Sequence, residues 1–484
     1  MNIFEKIKGF FMSRFDKNRL EKIFNIKLSD ADNMSELTDL WLRIYSGHAP
    51  WVGEGKEQVL NTLSMASVLC NDLAAKCVSE LAMQKTADKG LQDFWTQEIG
   101  REIRTQTEYA LAGGAVAIRP YYNKTLNKVS LSWYTADRFI PLDWNESVPM
   151  SGIFIDRDVV TENGIPVYYT KLECHRWKYG KNGEKGGVSI EVKAFKSNSP
   201  AELTHSISLS DYPKWADITP YAEASGLERP LFVYMKTPFS NNKALNSNAG
   251  VSLYKDALPV LENIDRTYDS LCWELQSTQN KVFVDVSMVE VERKKNGDLV
   301  PRFDDKEKRL YKVMDAEGAV NRYIDVYSPA IRQNDITQAL KTQLSLLCSS
   351  VHLDSGSYVY EEASGAVTAR EVTAKQQKTY QTICDMQTWC IGPAIKAVYL
   401  AVKQMQILYD IDEFGEEDLE VSFGDSILTD EDSARENAQK EVVSGLRSKL
   451  SYLMDYRGLT EEEASAEIER MKLESASAGF NMVE

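Results

Sequence analysis

Tyr254-Lys-Asp-Ala-Leu-Pro-Val-Leu-Glu-Asn-Ile-Asp-Arg-Thr-Tyr-Asp-Ser-Leu-Cys-Trp-Glu-Leu275 sets Tyr254, Ala257, Leu258, Leu261, Ile264, Tyr268, Leu271, Cys272 and Leu275 at three- and four-residue steps. That spacing places side chains on one face of an α-helix. A second run carries Ile336, Leu340, Leu344 and Leu347, with Asn334 and Asp335 placed to accept the free backbone N–H groups of its first turn. The two runs are expected to pair as an antiparallel hairpin. Between them Lys281–Tyr327 favours strands: Lys281-Val-Phe-Val-Asp-Val286, Leu299-Val-Pro-Arg-Phe303 and Tyr323-Ile-Asp-Val-Tyr327, with a turn at Lys294-Lys-Asn-Gly-Asp298. It reads either as an ordinary β-excursion or as a docking knob at the end of a helical stalk.

After the second run, His352–Val367 is rich in Gly, Ser and Tyr and lacks a helical stripe, which predicts a loop. A third helix opens at Thr368, whose hydroxyl and the Glu371 carboxylate form a capping-box pair. Its stripe runs through Val372, Tyr380, Ile383, Cys384 and Ile391, then Ile395, Val398, Tyr399 and Val402. Gly392-Pro393 predicts a kink, because proline removes a ladder hydrogen bond and crowds the preceding turn.

Toward the N-terminus, Met1–Lys27 combines Phe4, Ile7, Phe10, Phe11, Phe15, Leu20, Ile23 and Phe24 with seven Lys or Arg and three acids. Such a basic amphipathic helix can lie on an anionic membrane, or pack on its own or a neighbouring subunit. Residues 35–112 read as mostly helical, around Leu40, Trp41, Ile44 and Tyr45, then Leu63 to Leu81, then Leu91 to Leu111. Ala112–Tyr121 turns into a strand, and from Val129 to Pro238 the period is two, predicting an antiparallel β-module. Its turns include Glu162-Asn-Gly-Ile-Pro166 and the glycine-rich 180–187 loop, which lacks the spacing of a phosphate loop. Beyond Leu419-Glu-Val-Ser-Phe423, Thr429-Asp-Glu-Asp432 starts a helix with Ala434, Ala438, Val442, Leu446, Leu450 and Leu453 on one face, ended by Gly458. Thr460-Glu-Glu-Glu463 caps another, with Ala464, Ile468 and Met471.

The 484 residues carry a net charge of −16, and Ile411–Glu484 alone holds 20 acids against 7 bases. Tight DNA binding needs Lys and Arg to displace counterions, so this balance suits a surface that must not hold DNA. The seven scattered cysteines contain no Cys-x-x-Cys and predict free thiols in a reducing compartment. No apolar run approaches the length of a membrane span, and no signal peptide follows Met1. A soluble intracellular protein is the expectation.

No catalytic constellation emerges. The four histidines (48, 175, 205, 352) form no His-Glu-x-x-His, and no Gly-x-Ser-x-Gly elbow is present. Cys174-His175 falls in a strand pattern, where neighbouring side chains point to opposite faces, and reads as structural. Asp410-x-Asp412 could hold a cation with phosphates, or be a solvated helix end. No enzyme and no cofactor are expected.

In order along nearly the whole chain, these features resemble a tailed-bacteriophage portal protein of the type found in siphophages of Gram-positive hosts. The resemblance rests on the helix around Leu258–Asn280, the β-insert, the second helix, and the loop before Ser364-Gly-Ala-Val-Thr-Ala-Arg-Glu-Val-Thr373. It continues through the kinked helix and Phe423-Gly-Asp-Ser-Ile427 to Ser444-Gly-Leu446 and Tyr456-Arg-Gly-Leu-Thr-Glu-Glu-Glu-Ala464. It implies an α+β portal-like fold: helices and a mixed α/β wing over 1–249, stem helices at 250–280 and 328–348, and a small β-rich clip at 281–327. The remainder would be a tunnel loop at 349–366, the long kinked wing helix and return strand at 367–427, and an acidic helical crown at 428–484. Further implied are a dodecameric homo-oligomeric ring at one capsid vertex and non-specific double-stranded DNA passing through it in packaging and ejection. Terminase large subunit, head–tail adaptor, scaffold and major capsid proteins would be partners, with assembly in the host bacterial cytoplasm and no stable membrane insertion. Arg332, Lys341, Tyr358, Tyr360, Glu361 and Glu362 would be channel candidates facing DNA. The positive pair reads equally as solvated charge, and the tyrosines and glutamates as loop packing. Lys294, Lys295, Asp298 and Arg302 would be docking candidates on the clip. A membrane-surface or capsid-associated scaffold and a nucleic-acid-processing enzyme are the alternatives from other classes.

Overall fold

The computed structural model describes residues 17–27, 34–53, 60–84, 86–180, 185–199, 202–279, 281–285, 291–293, 299–301, 311–314, 324–327, 329–358, 377–411, 414–415, 419–424, 438–457 and 463–471. The chain is a mixed α+β protein. Its N-terminal part runs α1 (Lys17–Phe24), α2 (Met34–Tyr45), α3 (Met65–Val78), β1 (Leu81–Met83), α4 (Lys89–Phe94) continuing as a π turn, and α5 (Ile103–Gly113). The strands then follow: β2 (Ala115–Asn123), β3 (Lys128–Thr135), β4 (Phe139–Pro141), a short ribbon of β5 (Trp144–Asn145) and β6 (Val148–Pro149), β7 (Gly152–Glu162), β8 (Ile165–Lys178), β9 (Gly186–Ser197), β10 (His205–Ile207), β11 (Tyr221–Leu227) and β12 (Val233–Lys236).

The period-two region divides into two antiparallel sheets. One is ordered β10-β9-β8-β7-β4, with β11 also on β9; the other is β12-β2-β3. Asn163 and Gly164, both at positive φ (51° and 81°), make the tight β7–β8 turn that pairs Glu162 with Ile165. Lys178 pairs with Gly187 across the glycine-rich connection, so that loop closes a hairpin.

Alternating side chains of these strands feed separate cores. Ala117, Tyr134, Phe139, Phe154 and Phe232 fill the space where the sheets meet. On the far face of the larger sheet, Ile153, Ile155, Leu172, Cys174 and Phe195 receive Leu20 and Phe24 of α1. Arg176 and Lys193 donate to the Phe24 and Ile23 carbonyls at that helix's C-terminal end, where cations complement the dipole. The 17–27 part of the amphipathic segment is therefore a peripheral helix on its own chain; residues 1–16 lie outside the described residues. The largest core joins α2, α3, α5 and the outer face of the smaller sheet to the C-terminal helices.

From this body α6 (Leu258–Ser277) leads to β13 (Lys281–Asp285), β14 (Val291–Arg293), β15 (Leu299–Pro301), β16 (Tyr311–Met314) and β17 (Ile324–Tyr327), and α7 (Gln333–Ser350) returns. β13 runs parallel to β16 and antiparallel to β17, while β14 and β15 form a hairpin. α8 (Gln377–Met386), a π turn (Gln387–Ile391) and α9 (Gly392–Tyr409) make the long helix, and β18 (Val421–Phe423) pairs with β1. Helical residues 438–443, α10 (Lys449–Arg457) and helical residues 463–471 complete the described chain.

Several expectations are corrected. Tyr254 and Ala257 are fully buried but lie in the turns before α6, which begins at Leu258 with Pro259 in its first turn. The same stripe ends 47% exposed at Leu275, because its distal half has left the body. Asn334 and Asp335 do not cap α7: they sit inside its first turn behind Arg332, and no side chain caps it. Leu81 is in strand β1 rather than helix. At Gly392-Pro393 the interruption is a π turn, in which the Gly392 N–H reaches the Gln387 carbonyl and widens the helix ahead of the proline ring. The single helix expected over 430–457 is broken at Gly445, whose φ of 79° is a left-handed conformation natural to glycine. The capping pairs at Thr368 and Glu371, at Thr429 and at Thr460 lie outside the described residues.

Candidate functional site

The feature that sets this chain apart is the two-helix arm, and its base is built by close backbone approach. Gly114 closes α5 at φ 95° and passes so near Gly250 that a Cβ on Gly250 would lie 2.0 Å from the Gly114 carbonyl oxygen. The Thr237 amide donates to that oxygen (3.0 Å), and its hydroxyl donates to the Val251 carbonyl (2.7 Å). The buried Tyr254 hydroxyl donates to the Trp41 carbonyl (2.7 Å). On α6 the buried Asp265 accepts from Trp51 Nε1 (2.8 Å), Thr62 Oγ1 (2.9 Å) and the Leu63 amide (3.0 Å). One turn on, Asp269 accepts from the backbone and side chain of Asn61 (3.0 and 2.8 Å). Two carboxylates thus bind the arm to Trp51 and to residues 61–63.

Further out, α6 and α7 are held by one strap. Arg332 donates to Glu274 from Nε (3.1 Å), Nη2 (2.9 Å) and its amide (3.2 Å). These bonds hold the Glu274 carboxyl below its usual pKa and raise that of Arg332. Since Glu274 meets Arg332 at one end and Asn263 lies near Gln343 at the other, the helices are antiparallel. Arg332 is thus tied to α6, although its side chain remains largely exposed, and Lys341 sits half-buried in the middle of α7. The face between the helices opens as a groove of about 480 Å³ lined by Arg266, Ser270, Asp335, Ile336, Ala339 and Gln343 among others. Trp273 on the arm is 67% exposed. The docking candidates Lys294, Lys295, Asp298 and Arg302 lie outside the described residues.

At the foot of α7 the chain turns through His352, at φ 60°, and is pinned twice. Asp354 Oδ2 accepts the Thr379 amide at the start of α8 (3.2 Å), while the Asp354 amide donates to Thr379 Oγ1 (3.0 Å). Tyr358 donates its phenol to Asp72 Oδ2 of α3 (2.8 Å), which also pairs with Lys76 (2.9 Å). Partial burial works against the Asp72 charge, but these two donors outweigh it and hold its carboxyl below the usual range. Burial and Asp72 push the Tyr358 phenol well up. Tyr358 therefore anchors the start of the following segment to the body, and Tyr360, Glu361 and Glu362 lie outside the described residues.

The strongest electrostatics lie elsewhere, sealed between the sheets. Glu173 accepts from Arg119 and His175 Nε2 (2.8 Å), with Lys171 at 3.7 Å; Lys171 and Tyr134 also reach Asp156 (2.9 and 3.2 Å). Burial opposes the Glu173 charge, but Arg119, His175 and Lys171 hold its carboxyl well below the ordinary value. Arg119 also lies 5.5 Å from the ring centres of Tyr134 and Phe154. As the strand pattern implies, Cys174 and His175 point into different cores, Cys174 toward α1 and His175 toward Phe154 and Phe232. The network binds the sheets together, with Lys171, Glu173 and His175 at its buried centre and Asp156 at a partly exposed edge beside Arg138. Asp410 stands in a left-handed conformation at the end of α9, and Asp412 is outside the described residues. Among the described residues no group of three or more His, Cys, Asp or Glu side chains could hold a metal.

Asp265 and Glu274 had no place among the residues singled out from sequence. Their signal was a carboxylate beside or within the apolar stripe of α6, a position that demands a buried partner.

The family model for phage portal proteins, SPP1 Gp6-like, matches residues 65–479. No curated protein matches the chain.

Proposed function

The chain belongs to the SPP1 Gp6-like phage portal protein family, and from that membership we propose how its parts serve a DNA channel. The family is structural rather than enzymatic and places the chain at the capsid vertex of the virion, in a homo-oligomeric ring that DNA passes. In our reading the ring is a dodecamer, with α6 and α7 as the stem and 281–327 as the clip that meets first the terminase large subunit and later the head–tail adaptor. Residues 349–366 are the tunnel loop, 367–427 the wing helix and return strand, 428–484 the crown inside the head, and the helices and sheets before 250 the wing. Scaffold and major capsid proteins contact the outer body during assembly in the host cytoplasm.

The observation that carries this reading is the arm: two long antiparallel helices leave a layered body and carry a small β-unit at their far end. Charge supports it independently. A wall that is acidic overall repels phosphates and lets a duplex slide without adhering. Lys341 supplies a sparse positive contact on the stem, while Arg332 contributes first to stem rigidity through Glu274. Tyr358 sets where the loop departs, leaving Tyr360, Glu361 and Glu362 for the channel. Nothing favours the membrane-surface alternative in the described part of the N-terminal segment, because Leu20 and Phe24 are already spent on the chain's own sheet. No described helix is long and apolar enough to cross a membrane.

Native mass spectrometry of the full-length chain with negative-stain imaging tests the proposal. A closed ring of about a dozen copies with a central hole is expected of cyclic heterologous contacts. A chain that stays monomeric at high concentration, with or without scaffold protein, overturns it.

A further inference from the structure

Helix α3 stands at the junction of the arm, the segment that follows α7, the long helix and the return strand β18, and we propose that it is a rod through which these parts sense one another's position. At its leading end the arm is attached. Asp265 of α6 accepts from the Thr62 hydroxyl and the Leu63 amide, and the same hydroxyl accepts from the Ser64 amide (2.9 Å). The carboxylate is thus one hydrogen bond removed from the residue that precedes α3. Midway along the helix Asp72 holds the Tyr358 phenol, while Asn71 beside it donates to Glu108 of α5 (2.9 Å). In the last turn the Cys77 carbonyl accepts from Gln387 Nε2 (3.1 Å), at the π turn between α8 and α9. After Ser79 and Glu80 the chain enters β1. There the Glu80 carbonyl accepts the Gly424 amide (3.2 Å) and the Gln84 amide donates to the Glu420 carbonyl (2.9 Å), on either side of the β1–β18 pair.

Stiffness makes this arrangement more than a set of neighbours. The 14 residues of α3 include no Gly or Pro, so its backbone ladder runs without a soft joint over about 20 Å. Leu69, Cys70, Leu73, Ala74 and Cys77 lock one face into the largest core, where side chains interdigitate and a shift of one is felt by the next. The hydrogen bonds at its two ends and its middle tolerate only about 0.5 Å of stretch. A change in how the arm seats on Thr62 and Leu63 therefore strains the contacts at Asp72, Cys77 and Glu80 together, and the Asn71 tie to Glu108 keeps that shift small. The phenol–carboxylate bond of Tyr358 supplies the element with two states, made or released. Loosening the arm favours release, and release loosens the arm by the same free energy, because linkage between two sites is reciprocal. The inference concerns a single chain and does not depend on the ring.

Hydrogen exchange of the full-length chain, assembled or not, tests the coupling. Asp265→Asn weakens the arm's seat, and amide protection is expected to fall by roughly twofold or more at 354–358 and 420–424. The β7–β8 hairpin, which shares none of these contacts, is expected to keep its protection. In the reverse direction Tyr358→Phe, which removes one hydroxyl, is expected to lower protection at 61–66 and 265–269 by a similar factor. Should Asp265→Asn fail to fold, Asn61→Ala takes its place with the same readout, since it gives up only an exposed side-chain bond to Asp269. Effects confined to the altered contact in both directions overturn the coupling. Transfer in one direction only also overturns it, because a linked pair must act both ways. Loss of protection that extends equally to the β7–β8 hairpin is global destabilisation and overturns α3 as the carrier.

Discussion

Gly250 shows how a single missing methyl group fixes the arm's origin. A Cβ there would collide with the Gly114 carbonyl, a backbone atom that cannot swing aside. Gly250→Ala is expected to cost about 3 kcal/mol through overpacking and the lost crossing, read as a lower midpoint in thermal or denaturant unfolding. Arg119 makes the opposite point, since its loss leaves a charge rather than a clash. Arg119→Met strands Glu173 between the sheets with only His175 and the more distant Lys171, and should cost about 3–5 kcal/mol in urea unfolding. Pairing it with Glu173→Leu should recover much of that loss, because two apolar side chains leave no buried charge unmatched. Neither the Gly–Gly contact nor the Arg–Glu pair could be read along the chain. Their partners lie far apart in sequence, and periodicity reports only which face a residue occupies.

At the scale of elements, helix stripes and strand alternation were legible because each follows from local geometry. The α6 and α7 spans, the β7–β8 turn at Asn163-Gly164 and the interruption at Gly392-Pro393 all carry such local signatures. Less legible was how each element ends. Asp335 looked like a cap and is an interior residue of the first turn, while Gly445 breaks what the Ala and Leu stripe presented as one helix. The arm's far end depends on the Glu274–Arg332 strap, and its pH response has a definite sign. Because the folded-state carboxyl titrates below its unfolded value of 4.5, the strap's contribution is complete above that pH and is lost as pH falls through the lower, folded value. Protection of the amides at 274–278 and 329–336, taken relative to the intrinsic exchange rate at each pH, is therefore expected to fall on acidification below about 4.5 before the body unfolds. In Glu274→Gln that protection should already be low at neutral pH and insensitive to that change.

For the molecule as a whole, charge decides behaviour more than any one contact. With a net charge of −16 per chain, an assembled ring should show little affinity for a short DNA duplex at physiological salt, as fluorescence anisotropy would report. Tight, salt-sensitive binding would contradict a sliding channel. Replacing exposed acids of the 438–471 region with lysine should raise that affinity and make it fall steeply with added salt.

What the sequence alone determined is a strand-rich insert between two amphipathic helices, a long helix following them, and an acidic C-terminal region. Each of these arises from residues close together in the chain, where helical and strand periods and capping geometry act. Only the tertiary structure decided that the β-region splits into two sheets joined by a buried ionic network, that α1 lies on its own sheet, and that Tyr358 is pinned to Asp72. Those outcomes depend on which distant surfaces can exclude water and satisfy one another's charges and hydrogen bonds, a condition set by the folded chain in three dimensions.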